Sequence, residues 1–202
     1  MSYAAARIED LETLYGAPVA AATKKVTGRL TGPYRDWIDA SRFCILATIG
    51  PEGTDASPRG DDGPVVRALD AGTLALPDWH GNNRIDSLRN IARDGRVSLT
   101  FMVPGSENVV RVNGTAIVTL DEDLAARFER DGKRPRSVIV VTIGEVYFQC
   151  ARAIRRSGLW GETAAPEDLP SAGDMLAAAS DGEVGGAAYD AAWPKRAEAS
   201  MW

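Results

Sequence analysis

Cysteine and histidine are scarce in this chain. Two cysteines, Cys44 and Cys150, and one histidine, His80, occur among 202 residues. A disulfide scaffold needs more cysteine, and a histidine-based zinc centre needs more than one imidazole. There is no C-x-x-C or other metal-ligand spacing, so no metal is expected. Both cysteines lie in apolar stretches and read as buried, reduced thiols of a cytoplasmic protein. Long hydrophobic runs are missing as well. The longest, 138–143, is far too short to span a bilayer. No basic stretch followed by an apolar core marks a signal peptide at the N-terminus. Positive charge is not in excess: 23 Lys and Arg stand against 28 Asp and Glu, a net charge of −5. That balance argues against a nucleic-acid or anionic-membrane surface, while leaving room for a small anion bound by local charge. Nucleophile and nucleotide motifs are absent too: no G-x-S-x-G, no P-loop, no G-x-G-x-x-G after a strand, and no paired acids at fixed spacing. An enzyme made from this chain would therefore draw its reactive chemistry from a bound cofactor.

The composition itself is that of a globular domain, 45% hydrophobic and 25% charged. Short apolar runs separated by Gly, Pro, Asp and Asn clusters predict strands over 43–49, 54–59, 65–69, 73–76, 97–103, 108–120 and 137–146. About six to seven short strands with tight turns point to an antiparallel sheet and a small β-barrel, a mainly β chain with α (α+β). Gly114, inside a strand, marks a bulge or a close backbone approach. Residues 1–42 read as a helical cap: Ile8, Leu11 and Leu14 share one face, and a second amphipathic segment with Tyr34, Trp37 and Ile38 follows Gly32-Pro33. Further helices are expected over 84–93, 121–131, 150–160 and 174–180. Residues 161–202 form an extension whose Tyr189, Trp193, Met201 and Trp202 are anchors for docking on the barrel or a partner subunit. The mixed-charge segment 127–136 reads as a solvated face.

One stretch organises the rest. Residues 77–90 read PDWHGNNRIDSLRN. A Pro-Asp pair ends an apolar run, a polar turn follows, and Ile85, Leu88 and Ile91 then take up helical spacing. Asn82 or Asn83 is the expected N-cap. A helix start offers unpaired N–H groups and partial positive charge to an anion, and Arg84 adds a fork of donors matched to phosphate. Such connections are also common without any ligand. The neighbouring strand segment Ser57-Pro58-Arg59-Gly60 brings a second guanidinium. His80, among polar turn residues, orients the turn or faces solvent.

These segments, with Arg111-Val112-Asn113-Gly114, resemble the pyridoxamine 5'-phosphate oxidase-like FMN-binding split-barrel family. The likeness is to its branch of FMN-dependent enzymes carrying S-P-R-G and P-D-x-x-G-N-x-R motifs, and it covers 43–120 strongly and runs on to 160. It implies a six- to seven-stranded antiparallel split β-barrel over 43–160 with peripheral helices. It implies a homodimer with flavin at the subunit interface and hydride transfer at flavin N5 to or from a small-molecule substrate. It places Arg59, Asn82, Asn83 and Arg84 at the FMN phosphate, and Ser57, Pro58, Gly60, Pro77 and Asp78 along the ring or ribityl chain. Arg111, and Ser157 and Trp160 from the R-S-x-L-W ending, would approach the flavin across that interface. Arg111 on its own is equally a solvated strand residue, and the alternative to a ligand role for Ser57-Pro58 is a strand-edge kink. No second phosphate cluster supports pyridoxamine phosphate as substrate. A flavin-storing or sensing module, or the same barrel with a deazaflavin coenzyme, are the alternatives.

Overall fold

The computed structural model describes residues 3–150, 152–161, 165–166 and 168–200. Met201 and Trp202, expected as anchors of the tail, lie outside the described residues. Seven strands form one antiparallel sheet: β1 (Phe43–Gly50), β2 (Gly53–Gly60), β3 (Arg67–Ala68), β4 (Thr73–Asp78), β5 (Arg96–Met102), β6 (Asn108–Thr119) and β7 (Ser137–Cys150). Their order is β2-β1-β5-β6-β7-β4-β3. The helices are α1 (Ile8–Tyr15), α2 (Ala20–Lys24), α3 (Gly32–Ala40), α4 (Asp86–Arg93), α5 (Glu122–Ala126), α6 (Arg152–Ser157), α7 (Ala172–Ala179) and α8 (Gly186–Ser200). No described helix is long and apolar enough to cross a membrane.

The sheet curls because its alternating residues bury one face. On β1, Cys44, Leu46 and Thr48 point inward. Opposite them stand Phe101 and Leu99 of β5, then Val110 and Val112 of β6, all buried. Leu74 and Leu76 of β4 and Ile139, Val141 and Val146 of β7 complete the core. Arg111 lies between two inward valines and takes the outer face. α3 covers one opening, with Ile38 fully buried and Trp37 packed against the core. α4 covers another through Leu88, Ile91 and a buried hydrogen bond from Asn90 to Thr48 Oγ1 of 3.1 Å.

Several local expectations change. Asn82 and Asn83 do not cap α4. Its N-cap is Ile85, left-handed at φ 53°, with no side-chain capping bond. The strand expected over 65–69 shrinks to Arg67–Ala68, because Val65 and Val66 are both buried and break the alternation. β7 runs on to Cys150, so the helix behind it starts at Arg152. Cys44 is buried, and burial pushes its thiol up to about 12, but Cys150 is exposed. α1 and α2 contribute no buried residue, and Ile8, Leu11 and Leu14 are exposed. Asp121 does cap α5, accepting from the Leu124 N–H at 2.7 Å, but that helix ends at Ala126.

Two glycines are fixed by backbone crowding. A register shift between Asn113 and Gly114 leaves Gly144 of β7 as an extra residue, and a Cβ on Gly114 would run into the Thr142 carbonyl. Gly95 follows α4 without a left-handed φ. A Cβ there would sit 2.9 Å from the Ala116 carbonyl oxygen, so close approach to β6 selects it.

Candidate functional site

β2 and β3 are the two edges of the sheet, and curling brings β2 to face the end of β4. The segment after β2 is clipped back to the start of β1: the Asp61 N–H donates to the Arg42 carbonyl and the Val65 N–H to that of Ser41, both at 2.9 Å. Between these edges lies a cleft of about 1000 Å³. Its walls are residues 55–60 of β2, the Pro77-Asp78 end of β4, the turn 79–85, the first turn of α4, and Arg136-Ser137 at the start of β7.

Registry explains which side chains enter. Ser57 stands opposite Leu46 and Arg59 opposite Cys44, so both share the core-facing side of β2, while Pro58 turns outward. Pro58 is tolerated because β2 is an edge strand that needs no ladder donor at that point. Arg59 Nη1 donates to Asp78 Oδ1 at 2.6 Å, with 19% and 18% of the two side chains exposed. This ion pair joins the two ends of the sheet across the cleft. Arg59 Nε is buried and finds no acceptor among the described residues. An orphaned guanidinium donor in a cleft wall is costly unless a ligand accepts from it.

The turn and helix start supply more donors. Asn83 (φ 61°) and Ile85 (φ 53°) are both left-handed. Left-handed residues alternating with ordinary ones turn successive N–H groups toward one side, which makes an anion-binding concavity. No side chain caps α4, so its first N–H groups remain available and carry the positive end of the helix dipole. Asn82 Oδ1 accepts from the Arg84 N–H at 3.1 Å, Arg84 pairs with Asp86 at 2.7 Å, and Arg136 Nη1 donates to Asn83 Oδ1 at 3.0 Å. On the far wall, Asp55 accepts from Ser87 Oγ at 2.8 Å. Asp61 accepts from Trp79 Nε1 at 3.0 Å and from Arg130 Nη2 at 2.9 Å, and Asp62 pairs with the same guanidinium.

Nine of the twelve residues singled out from the sequence therefore meet at one cleft: Ser57, Pro58, Arg59, Gly60, Pro77, Asp78, Asn82, Asn83 and Arg84. His80 also lines it, on the exposed turn. Arg111, Ser157 and Trp160 do not line it. Arg111 lies 5.4 Å from the centre of the Tyr147 ring, within reach of Gln149, and no described carboxylate pairs with it. Ser157 Oγ donates to the Ile154 carbonyl at 2.9 Å, and Trp160 Nε1 to the Ser106 carbonyl at 2.7 Å. Sequence reasoning missed Trp79, Asp61, Arg130 and Arg136. Arg130 and Arg136 fall in the segment read as a solvated face, yet one braces the cleft rim and the other lines the wall. Only the pairing of β7 with β4, which sets Ser137 beside Asp78, brings them there. Among the described residues no group of three or more His, Cys, Asp or Glu could hold a metal ion.

A curled, unclosed antiparallel sheet whose two ends wall a cleft is the split-barrel fold. The family model described as pyridoxamine 5'-phosphate oxidase matches residues 30–150, from the approach to α3 to the end of β7, and the chain belongs to that family. Among solved structures it is similar to HupZ of Group A Streptococcus, with 16% identity over 60% of this chain and 95% of that one, at a TM-score of 0.50. It is also similar to a candidate pyridoxamine 5'-phosphate oxidase of Lactobacillus delbrueckii, with 26% identity, the same two coverages and a TM-score of 0.47. A third likeness is to the FAD binding protein of Mycobacterium smegmatis, with 15% identity over 61% and 97% and a TM-score of 0.42. No curated protein matches the chain.

Proposed function

We propose that this protein binds FMN in the cleft between β2 and β4 and acts, as a homodimer, as an FMN-dependent oxidoreductase on a small molecule. The observation that carries the reading is the donor set. The buried Arg59 Nε, unpartnered among the described residues, the uncapped start of α4 and the left-handed Asn83 and Ile85 converge on one cleft. That set suits a phosphate monoester. Ser57 offers a hydroxyl to the polar edge of a ring, while Pro58 and Pro77 wall the site without N–H groups of their own. When bound, the flavin supplies a two-electron acceptor at N5. The chain's own part is to hold the phosphate, orient the ring and exclude water.

A partner subunit completes the site in this reading. Pro58, Ile45, Thr100, Arg111 and Tyr147 are successive cross-strand neighbours and so share the outer face of the sheet. This face carries half-buried Phe43, Met102 and Val109 beside Arg111. Pairing two such faces would cover that surface and bring the Arg111, Ser157 and Trp160 of one subunit toward the cleft of the other.

The test is the absorbance spectrum of the purified protein, with mass spectrometry of whatever heat releases. Bands near ~375 and ~450 nm with FMN released are expected of a bound flavin. A colourless protein that takes up no added FMN would sink the proposal. One observation favours a storage or sensing role: the carboxylates of the cleft, Asp55, Asp61, Asp62, Asp78 and Asp86, are each hydrogen-bonded or ion-paired. Reduction of the bound flavin by NADH or NADPH at a rate above that of free FMN separates turnover from storage.

A further inference from the structure

Three guanidiniums line the cleft, and their charges are not equivalent. Arg59 is already compensated by Asp78 at 2.6 Å, and Arg84 by Asp86 at 2.7 Å. The rim cation Arg130 is shared between Asp61 and Asp62. Arg136 differs. It lines the wall, is exposed, and pairs with no carboxylate among the described residues. Among the described residues its hydrogen-bond partner is the neutral amide of Asn83, reached through Nη1 at 3.0 Å. A guanidinium carries five N–H donors in a planar fork, so one bond to an amide leaves both the charge and most of the donors available.

We propose that Arg136 is the residue that answers the negative charge of the ligand's phosphate. Arg59 and Arg84 then act chiefly as hydrogen-bond donors whose charge the fold has already spent. This rests on the flavin reading above and names a phosphate-specificity residue within the same cleft. Arg136 also ties the first residues of β7 to the left-handed turn. Phosphate would therefore be gripped between the turn, the start of α4 and a strand from the far side of the sheet.

The experiment compares FMN with riboflavin, which is the same ring system without the phosphate. Flavin fluorescence titrations are run on the full chain as wild type, Arg136→Gln, Arg136→Lys and Arg84→Gln, with circular dichroism to confirm folding. Arg136→Gln should weaken FMN binding by about 10- to 100-fold, the size expected for a charge-assisted pair, and leave riboflavin within about 2-fold. The salt dependence of FMN binding should flatten in Arg136→Gln and persist in Arg136→Lys. Arg84→Gln, which removes an already compensated charge, should cost FMN less than Arg136→Gln does. Equal losses for FMN and riboflavin would mean that Arg136 acts only through the turn, and an unchanged FMN affinity would mean that it does not act; either overturns the proposal.

Should the wild type take up no flavin, it is the flavin reading that fails. Arg136 is then judged with inorganic phosphate as the probe. Phosphate should raise the melting temperature of the wild type relative to chloride at matched ionic strength, and should not do so for Arg136→Gln. The same response in both proteins overturns the inference.

Discussion

The Arg59–Asp78 ion pair lies in the wall of the cleft. Arg59 and Asp78 are four-fifths buried and bridge strands that lie far apart in the sheet order. Removing one partner leaves the other charge in a poorly solvated wall, which costs more than the pair itself contributes. Arg59→Met should therefore destabilise the fold by about 2 kcal/mol. The double variant Arg59→Met with Asp78→Leu should recover most of that in chemical denaturation. If Arg59 Nε serves the ligand, the double variant should still bind FMN poorly, a split between stability and affinity that an ion pair of purely structural role would not produce. At this scale the sequence was informative about type and blind to pairing. Ser57, Arg59 and Asn82 stand out from their neighbours in the chain. That Arg59 is neutralised by Asp78, 19 positions later, depends on the curl of the sheet. Arg136 was hidden for the same reason: its local context is a charged loop, and its importance comes from β7 lying beside β4.

Among the elements, the strands were the most legible, because alternating burial and turn residues leave a period-two record in the sequence. The departures were local. Asn82 and Asn83 look like caps, but their side chains are taken by Arg84 and Arg136, and a left-handed Ile85 begins the helix instead. Val65 and Val66 read as strand, yet both are drawn into the core from a loop. Gly114 was legible as an interruption, and its cause is steric: the Thr142 carbonyl occupies the place of a Cβ. Gly114→Ala should force β6 and β7 apart at the point where they are most crowded. A loss of roughly 3 kcal/mol is expected, at the upper end of overpacking costs. Urea denaturation would read it, and a change below about 0.5 kcal/mol would show that the strands yield easily there.

Over the whole molecule, the strand pattern points to a small antiparallel barrel and the resemblance carried by the three spaced motifs implies a split barrel, a reading with which the family match over residues 30–150 agrees. The ends of the chain were less legible. α1 presents Ile8, Leu11 and Leu14 to solvent, so its helical periodicity records an apolar stripe with nothing described beneath it. α7 and α8 pack together, with Asp190 accepting from the Gly173 N–H at 2.8 Å and from Ser171 Oγ at 2.6 Å. The proposed dimer makes its own prediction. Ile45 is half-buried on the outer face, and Ile45→Asp should leave the inward-facing core intact. Sedimentation should then report a monomer where the wild type reports a dimer, and FMN affinity should fall in the same variant. A wild type that sediments as a monomer yet binds FMN tightly would remove the partner subunit from the site.

The position of β7 has a consequence for how the molecule comes into being. β4 pairs with only two residues of β3 on one side, and its long partner is β7, which reaches back to it over residues 137–142. A chain growing from its N-terminus can zip β1 to β2 at once, but the opposite wall of the cleft stays unsupported until that late segment has been synthesised. The proposed ligand capture thus waits until that segment has emerged. A nascent chain halted before residue 137 would hold Arg59 and the α4 turn with no barrel to aim them.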